Sequence, residues 1–309
     1  MEIKKSTLAT LSAFLANLIF GFSFIFSKMA LNVTDVFVLL TWRFLIAFIL
    51  MLVVVALKIQ KVNYKGKKIS QVVLLAILQP FLYFIFEQYG ILMTTTAFSG
   101  VLLATVPVVV MAISGVLLKE KTTFMQIVFG IISLVGVSLI SVISNREGNT
   151  TTLGVIMLIL AVISAALFNV ISRKISKDFT PFERTFAMFF VALLGFCAIG
   201  LFRFKTSFFT MMADAIKMSD FRISLIYLSV FSSVIAFLIY NFATTYISVV
   251  RASAFSNIIT VVSVLAGIFI LGEDLTMVEL SLCALIVIGV IGVNFFGIKK
   301  NDKKFEKNS

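Results

Sequence analysis

The sequence is poor in the residues on which soluble enzymes and disulfide-bonded domains depend. Its 309 residues contain no histidine, two cysteines and three prolines, and charged residues make up only 13% of the chain. Cys197 and Cys283 fall in apolar segments without disulfide or metal-ligand spacing. Glu87 is the only carboxylate deep in an apolar segment, so the paired groups of an intramembrane enzyme are missing. We expect no catalytic residue, no metal and no cofactor, and an intramembrane enzyme is only a remote alternative.

Apolar sequence is what the chain has in abundance. Hydrophobic residues make up 61% of it and the mean hydropathy is +1.13, which leaves too little polar surface for a soluble globule. A helix needs about 20 apolar residues to cross the hydrocarbon core of a bilayer. The pattern predicts an all-α membrane protein with ten transmembrane helices, at roughly 6–27, 36–57, 70–92, 95–118, 123–143, 153–172, 181–202, 223–243, 248–271 and 277–298.

The positive charges fix the predicted orientation of these helices. The net charge is +12, and lysine and arginine are concentrated at the N-terminus, in alternate loops and in the tail. With a cytoplasmic N-terminus, most of them fall on the cytoplasmic side, as the positive-inside rule requires. If the segment 36–57 were not counted as a span, every later loop would change sides and the lysine-rich tail would lie outside. Arg43, which interrupts that segment, is therefore an intramembrane charge. We predict a multi-pass plasma-membrane protein with both termini cytoplasmic, whose charge faces anionic headgroups and needs no nucleic acid.

The segments 101–137 and 254–290 are interrupted in the same pattern, at an offset of 153 residues (254 − 101 = 153). Each breaks at a glutamate followed three residues later by a threonine, and each then resumes with a glycine at the matching place. The matching residues are Glu120 and Glu273, Thr123 and Thr276, and Gly136 and Gly289. We interpret this as an internal duplication, a known construction of membrane transporters.

The number of helices predicts how the two copies are oriented. Five helices per copy is an odd number, so the second copy enters the membrane in the opposite sense. The sequence therefore predicts two inverted five-helix repeats, 1–146 and 147–298, followed by a basic cytoplasmic tail, 299–309. Two such bundles can rock and expose a central cavity to each side in turn.

Two charges inside predicted spans are the first candidates for a functional site. Glu87 and Arg43 both lie on the order of 10 Å below the outer surface, counting 1.5 Å per helical residue, so they can meet. Charges inside spans are expensive unless paired or hydrated, and they point to function by default. A structural arginine–glutamate clamp, a role in binding substrate or protons, and side chains that snorkel outward all remain open.

Uncharged polar residues near mid-membrane complete the predicted substrate-binding set. Their amides and hydroxyls can orient a ligand, although the same groups often form only interhelical hydrogen bonds, worth about 0.6 kcal/mol each. Under the repeat offset Glu87 corresponds to Tyr240 (87 + 153 = 240), so the two copies differ in their polar atoms. Pro80 and Pro107 predict kinks that favour a cavity. The predicted substrate-binding residues are Asn17, Arg43, Tyr83, Glu87, Ser233, Tyr240 and Asn257.

Several motifs resemble a known family. They are the opening segment from Asn17 to Met29, the Trp42-Arg43-Phe44 triplet, the segment from Thr95 to Val108, and the helix ends Leu118-Lys-Glu-Lys121 and Leu271-Gly-Glu-Asp274. Over the whole chain they resemble the drug/metabolite transporter superfamily, in particular its EamA-type ten-helix exporters. The resemblance implies a secondary transporter that exports amino acids or related small metabolites, with a site in the middle of the bundle.

The expected partners are a small-molecule substrate, the lipid bilayer and, as one candidate coupling ion, the proton, in a monomer or homodimer. A lipid or lipid-linked-sugar flippase on the same scaffold is the main alternative. The cavity separates the two functions, because a metabolite carrier should be closed to lipid and a flippase should open sideways. A channel is less favoured, since no ring of like charges or filter loop is visible.

Overall fold

The structure is a computed structural model that describes residues 2–117, 123–146, 150–247, 252, 255–272 and 276–305. The side chains at 2–4, 137–138, 140–146, 257, 260, 293–294 and 297–305 lie outside that description. All regular elements of the described residues are helices. We number them α1 (Glu2–Leu31), α2 (Val36–Ala56), α3 (Ile69–Leu92), α4 (Thr96–Leu117), α5 (Phe124–Arg146), α6 (Thr152–Ile175), α7 (Pro181–Phe204), α8 (Ser207–Ala215), α9 (Ser219–Tyr246), α10 (Ser256–Leu271) and α11 (Met277–Phe305).

Most of these helices are long and apolar enough to cross a membrane. Among the described residues, seven meet both conditions in full: α1, α2, α3, α4, α6, α7 and α9. In the described parts of α5, α10 and α11 the apolar stretches are shorter, at Phe124–Gly136, Val261–Leu271 and Met277–Gly292. The prediction of an all-α membrane protein is confirmed, whereas the number of ten spans rests on the sequence for these three helices. The short helix α8 occupies the long loop between α7 and α9.

Reciprocal hydrogen bonds begin the last helix of each predicted copy in the same way. At the start of α5, the Thr123 backbone N–H donates to Gln126 Oε1 at 2.8 Å, and the Gln126 N–H donates to Thr123 Oγ1 at 3.2 Å. At the start of α11, Thr276 and Glu279 form the same capping box at 3.0 and 3.3 Å. Both pairs stand 153 residues apart (276 − 123 and 279 − 126). The interruption that the two segments share is therefore followed by a capped helix start in both copies. Glu120 and Glu273, whose opposite membrane faces we predicted, lie outside the described residues.

The contact between α5 and α11 is also duplicated. A Cβ atom added to Gly136 would lie 2.7 Å from Ile286 Cγ1, and one added to Gly289 would lie 2.7 Å from the Ser133 backbone nitrogen. Gly289 and Ile286 are the offset equivalents of Gly136 and Ser133 (136 + 153 and 133 + 153). Exchanging the two copies therefore turns the contact at Gly136 into the contact at Gly289, as a two-fold relation requires.

The packing of whole helices is also the same in both copies. Helices α1 to α5 correspond to α6, α7, α9, α10 and α11, and α1 packs on α9 and α10 just as α6 packs on α3 and α4. The equivalent helices α2 and α7, α4 and α10, and α5 and α11 pack on each other. The helices α1, α3, α4, α6, α9 and α10 surround one space between the two halves, and a shared site can form there.

Two of these helices depart from regular α-helical geometry at matching places. In α3 a π-helical segment, Ile77–Leu82, contains Gln79 in an extended conformation, because the residue before a proline is pushed away from helical geometry. The Ser164 hydroxyl on α6 donates to the freed Leu78 carbonyl at 2.6 Å. In α9 a π-helical segment, Tyr227–Ile235, covers the equivalent positions (77 + 153 = 230, 82 + 153 = 235). Helix α4 is interrupted just before Pro107, so both predicted proline breaks are present.

Candidate functional site

A small cavity lies between the two halves, bounded by α1, α3, α4, α6, α9 and α10. It offers about 80 Å³ to the centres of water-sized molecules. Since one water needs roughly 10–15 Å³ by this measure, the space suits several waters or a small ligand. Gln79 and Ser232, from the π-helical segments of α3 and α9, both belong to its wall. The two irregular segments therefore meet at the cavity.

Glu87 supplies the cavity wall with a carboxylate. The Tyr83 hydroxyl donates to Glu87 Oε1 at 2.7 Å, and Gln88 Nε2 donates to Glu87 Oε2 at 2.9 Å. Tyr83 and Glu87 face the same side because they are one helical turn apart on α3. Glu87 is only 5% exposed, so its charge is held by neutral donors in a largely dry place. Gln88 Oε1 is buried without a hydrogen-bond partner.

Arg43 on α2 lies just behind the wall. Its Nη2 donates to Ser232 Oγ and its Nε donates to Ser233 Oγ, both at 2.9 Å. Its guanidinium carbon stands 4.2 Å from the centre of the Phe84 ring, within the range of a cation–π contact. Arg43 Nη1 is buried without a hydrogen-bond partner, and the whole side chain is 1% exposed. The residue links α2 of the first half to α9 of the second.

Arg43 and Glu87 do not form the direct ion pair that we considered from the sequence. Two of the arginine nitrogens, Nε and Nη2, are engaged by serines of α9, and the carboxylate oxygens are engaged by Tyr83 and Gln88. The two residues are still connected by a chain of contacts, from the guanidinium to the Phe84 ring, to the Tyr83 ring and to the carboxylate. A simple two-residue clamp is therefore wrong, and a water-bridged pair stays a prediction.

Amide and phenol groups occupy another part of the wall. The Tyr240 hydroxyl donates to Asn169 Oδ1 at 2.7 Å, and Asn169 Nδ2 donates to the Ala165 carbonyl at 2.9 Å. Asn17 Nδ2 donates to the Ala13 carbonyl at 2.7 Å. Tyr240 is the offset equivalent of Glu87, and both line the cavity. The duplication thus brings equivalent positions of the two halves to one site with different chemistry.

The structure sorts the seven predicted substrate-binding residues into three groups. Four of them, Asn17, Tyr83, Glu87 and Tyr240, line the cavity. Arg43 and Ser233 lie behind its wall, where Ser232 takes the lining place that we predicted for Ser233. The reason is that α9 is π-helical here. A π-helical turn contains more residues than an α-helical turn, so successive side chains point in different directions from those expected in a regular α-helix. The side chain of Asn257 lies outside the described residues.

Sequence reasoning missed Asn169, Ser232 and Gln88. We predicted that the helix carrying Asn169 ends at 172, which places this amide near the membrane surface. Helix α6 instead runs to Ile175, so Asn169 lies deeper. Gln88 could have been found from its offset equivalent Asn241, since both are fully buried amides beside a cavity-lining residue.

A second buried arginine belongs to a separate network that holds helices together. Arg184 Nη1 donates to Ser172 Oγ at 2.6 Å, and Arg184 Nη2 donates to the Asn241 carbonyl at 2.7 Å and to Thr245 Oγ1 at 2.6 Å. These bonds join α6, α7 and α9. Arg184 is fully buried and is not part of the cavity wall, so its place in the fold is structural.

The model of the EamA-like transporter family matches the chain twice, at residues 7–142 and 152–295. The chain belongs to the EamA-like transporter family. This EamA-like protein is 30% identical over 306 residues to the uncharacterized transporter YcxC of Bacillus subtilis strain 168, covering 97% of this chain and 96% of that protein. It is 24% identical over 270 residues to an uncharacterized transporter of Archaeoglobus fulgidus, covering 87% of this chain and 92% of the relative.

A solved crystal structure has the same fold as this EamA-like protein. The TM-score is 0.65 at 16% sequence identity, and the match covers 94% of this chain and 98% of the other. The family and the relatives are transporters rather than enzymes, which confirms both the resemblance and the expectation that the chain is no enzyme. The protein is a multi-pass membrane transporter, and the cavity between its halves is its candidate functional site.

Proposed function

We propose that this EamA-like protein is a secondary transporter that exports amino acids or related small metabolites across the plasma membrane by alternating access. Both termini are cytoplasmic in this proposal, and the repeats 1–146 and 147–298 are inverted relative to each other. The observation that carries the proposal is a cavity between the two halves, bounded by α3 and α9, which both depart from regular α-helical geometry at matching positions. Such a site can be reached from each side in turn when one half rocks against the other.

The chemistry of the wall supports a small polar substrate. Glu87 provides a negative charge, while Asn17, Tyr83, Asn169 and Tyr240 provide neutral donors and acceptors. Aromatic side chains, among them Phe20, Phe84 and Phe237, complete the wall. A ligand with an ammonium group has both a carboxylate and aromatic faces to bind to.

Glu87 is also the candidate proton carrier. Of the acidic residues that the structure describes, it is the one that lines the cavity, and the sequence contains no histidine that could relay protons. A carboxylate that binds either a proton or a cationic substrate group couples the two by competition. In this proposal a proton entering on one side replaces the substrate that leaves.

The test is transport by purified protein in liposomes. We expect uptake or counterflow of at least one member of a panel of radiolabelled amino acids, with a rate that changes under an imposed pH gradient. Asp214→Asn is the matched control for Glu87→Gln, because Asp214 is an exposed acid paired with Lys217 far from the cavity. Protein that moves no amino acid but scrambles fluorescent phospholipid between leaflets would instead establish the flippase.

A further inference from the structure

The charge of Arg43 has no carboxylate in direct contact. Its neighbours are the hydroxyls of Ser232 and Ser233 and the face of Phe84, all neutral. A buried cation without a directly bonded counter-ion is costly, so its field must be compensated from a distance. A chain of contacts leads from Arg43 through the Phe84 and Tyr83 rings to the Glu87 carboxylate. On its other side Arg43 donates to two serines of α9, the helix that borders the cavity.

The two serines that accept from Arg43 differ in their position relative to the cavity. A serine oxygen that accepts from a guanidinium keeps its own hydrogen for donation, and the bond it accepts polarises it as a donor. Within the described residues, neither Ser232 nor Ser233 donates a side-chain hydrogen bond to another group. Both serines are fully buried, but Ser232 belongs to the cavity wall and Ser233 does not. Of the groups hydrogen-bonded to Arg43, Ser232 is therefore the one that borders the cavity.

The wall thus has two poles. Glu87, with Tyr83, makes one part negative, and Ser232, backed by Arg43, makes another part positive. We propose that the cavity binds small zwitterions, with the ammonium group at Glu87 and the carboxylate at the hydroxyl of Ser232. Arg43 is a positioning residue that orients and polarises Ser232. This inference rests on the proposed function and assigns its substrate class to named residues.

The uncharged walls limit the rest of the ligand. Leu103 and Val106 on α4 and Ile259 on α10 present aliphatic side chains to the cavity. Together with the small volume, they favour a short apolar side chain over a charged one. Leucine therefore serves as the probe, with isoamylamine and isocaproate as analogues that keep its apolar body and carry only the ammonium or only the carboxylate.

The first measurement is binding of the three probes to wild-type protein in detergent, by calorimetry, with counterflow in liposomes as the transport readout. We expect leucine to bind at least about tenfold more tightly than either analogue, since each analogue lacks one hydrogen bond to a charged or polarised group. Equal affinity for leucine and isoamylamine overturns the inference.

The second measurement uses Ser232→Ala with Ser233→Ala as its matched control. Both variants remove one 2.9 Å hydrogen bond from Arg43, but only the first changes the cavity wall. We expect Ser232→Ala to weaken leucine binding about tenfold and leave isoamylamine unchanged. Ser233→Ala, which removes one anchor of Arg43 without altering the cavity wall, should weaken leucine binding clearly less than Ser232→Ala does. Ser232→Thr, which keeps the hydroxyl, should restore leucine binding.

The outcomes separate the inference from the proposed function. Equal effects of Ser232→Ala and Ser233→Ala on leucine, or equal weakening of leucine and isoamylamine, show a structural role for the serines and overturn the inference. If wild-type protein still transports an amino acid in that case, the proposed function stands. Wild-type protein that transports no amino acid of the panel overturns both.

Discussion

Neutralising Glu87 is the most direct test of whether its carboxylate takes part in transport or only holds helices together. Glu87→Gln keeps the size of the side chain and removes the charge, but its NH2 group cannot accept, so the bond from Tyr83 or from Gln88 must rearrange. Because Arg43 is not bonded to Glu87, no direct ion pair is broken. The expected cost to stability is therefore about 1 kcal/mol, that of a rearranged hydrogen bond, and not the roughly 3–5 kcal/mol of a broken buried ion pair.

Transport should respond much more strongly than stability. A substrate ammonium group loses its charge-assisted hydrogen bond to the carboxylate, worth about 1.5–3 kcal/mol, which corresponds to at least about tenfold weaker binding. The dependence of transport on the pH gradient should disappear as well, because Gln does not titrate. The assay pairs thermal unfolding in detergent with amino-acid counterflow in liposomes, using Asp214→Asn as the control. Normal transport by Glu87→Gln at every pH would refute the reasoning, and a large loss of melting temperature with intact transport would favour a structural role.

Three further predictions test the scaffold. Gly289→Ala should destabilise the protein by about 1–3 kcal/mol in thermal unfolding, because its Cβ would meet backbone atoms of α5. Gly136→Ala should cost less, because the atom that its Cβ meets most closely belongs to the side chain of Ile286 and not to the backbone. Arg184→Lys should lower the melting temperature by the equivalent of about 2 kcal/mol, as an ammonium group cannot reproduce the forked bonds to α6 and α9; an unchanged melting temperature would contradict this. Single cysteines at positions 5 and 303 should be labelled from the same side of the membrane, and labelling from opposite sides would disprove the topology.

The helical scaffold was predictable because its signals are long and repeated. A bilayer demands about 20 apolar residues per span, and this demand leaves a strong pattern in composition. Thr123 and Thr276 marked the duplicated helix starts, and Pro80 marked the break in α3. Each signal has a direct physical cause in capping or in the missing amide hydrogen of proline.

The fine structure of the site was less predictable, for reasons that lie in local geometry. A π-helical segment in α9 has no proline to announce it, and it puts Ser232 rather than Ser233 in the cavity wall. The partners of Arg43 are on a helix that is 189 residues away in sequence, so depth alone suggested Glu87 instead. Equal depth in the membrane does not fix which face of a helix a side chain occupies.

Duplication and asymmetry together explain how this scaffold can hold an asymmetric ligand. A two-fold relation brings Glu87 and its equivalent Tyr240 to the same cavity from opposite halves. If both positions were acidic, two like charges would repel each other in a dry site. Because one is a carboxylate and the other a phenol bonded to Asn169, the cavity has a single negative pole.

The equivalent amides diverge in the same way. Gln88 supports the carboxylate of Glu87. The side-chain amide of Asn241 instead accepts from Ser172 Oγ at 3.2 Å and donates to Thr185 Oγ1 at 3.0 Å, within the network of Arg184. The first half thus keeps its buried amide beside the cavity, and the second half uses the matching amide to join helices. Rocking of two similar halves needs the symmetry of the scaffold, while recognition of a ligand with two different ends needs the loss of symmetry at these few positions.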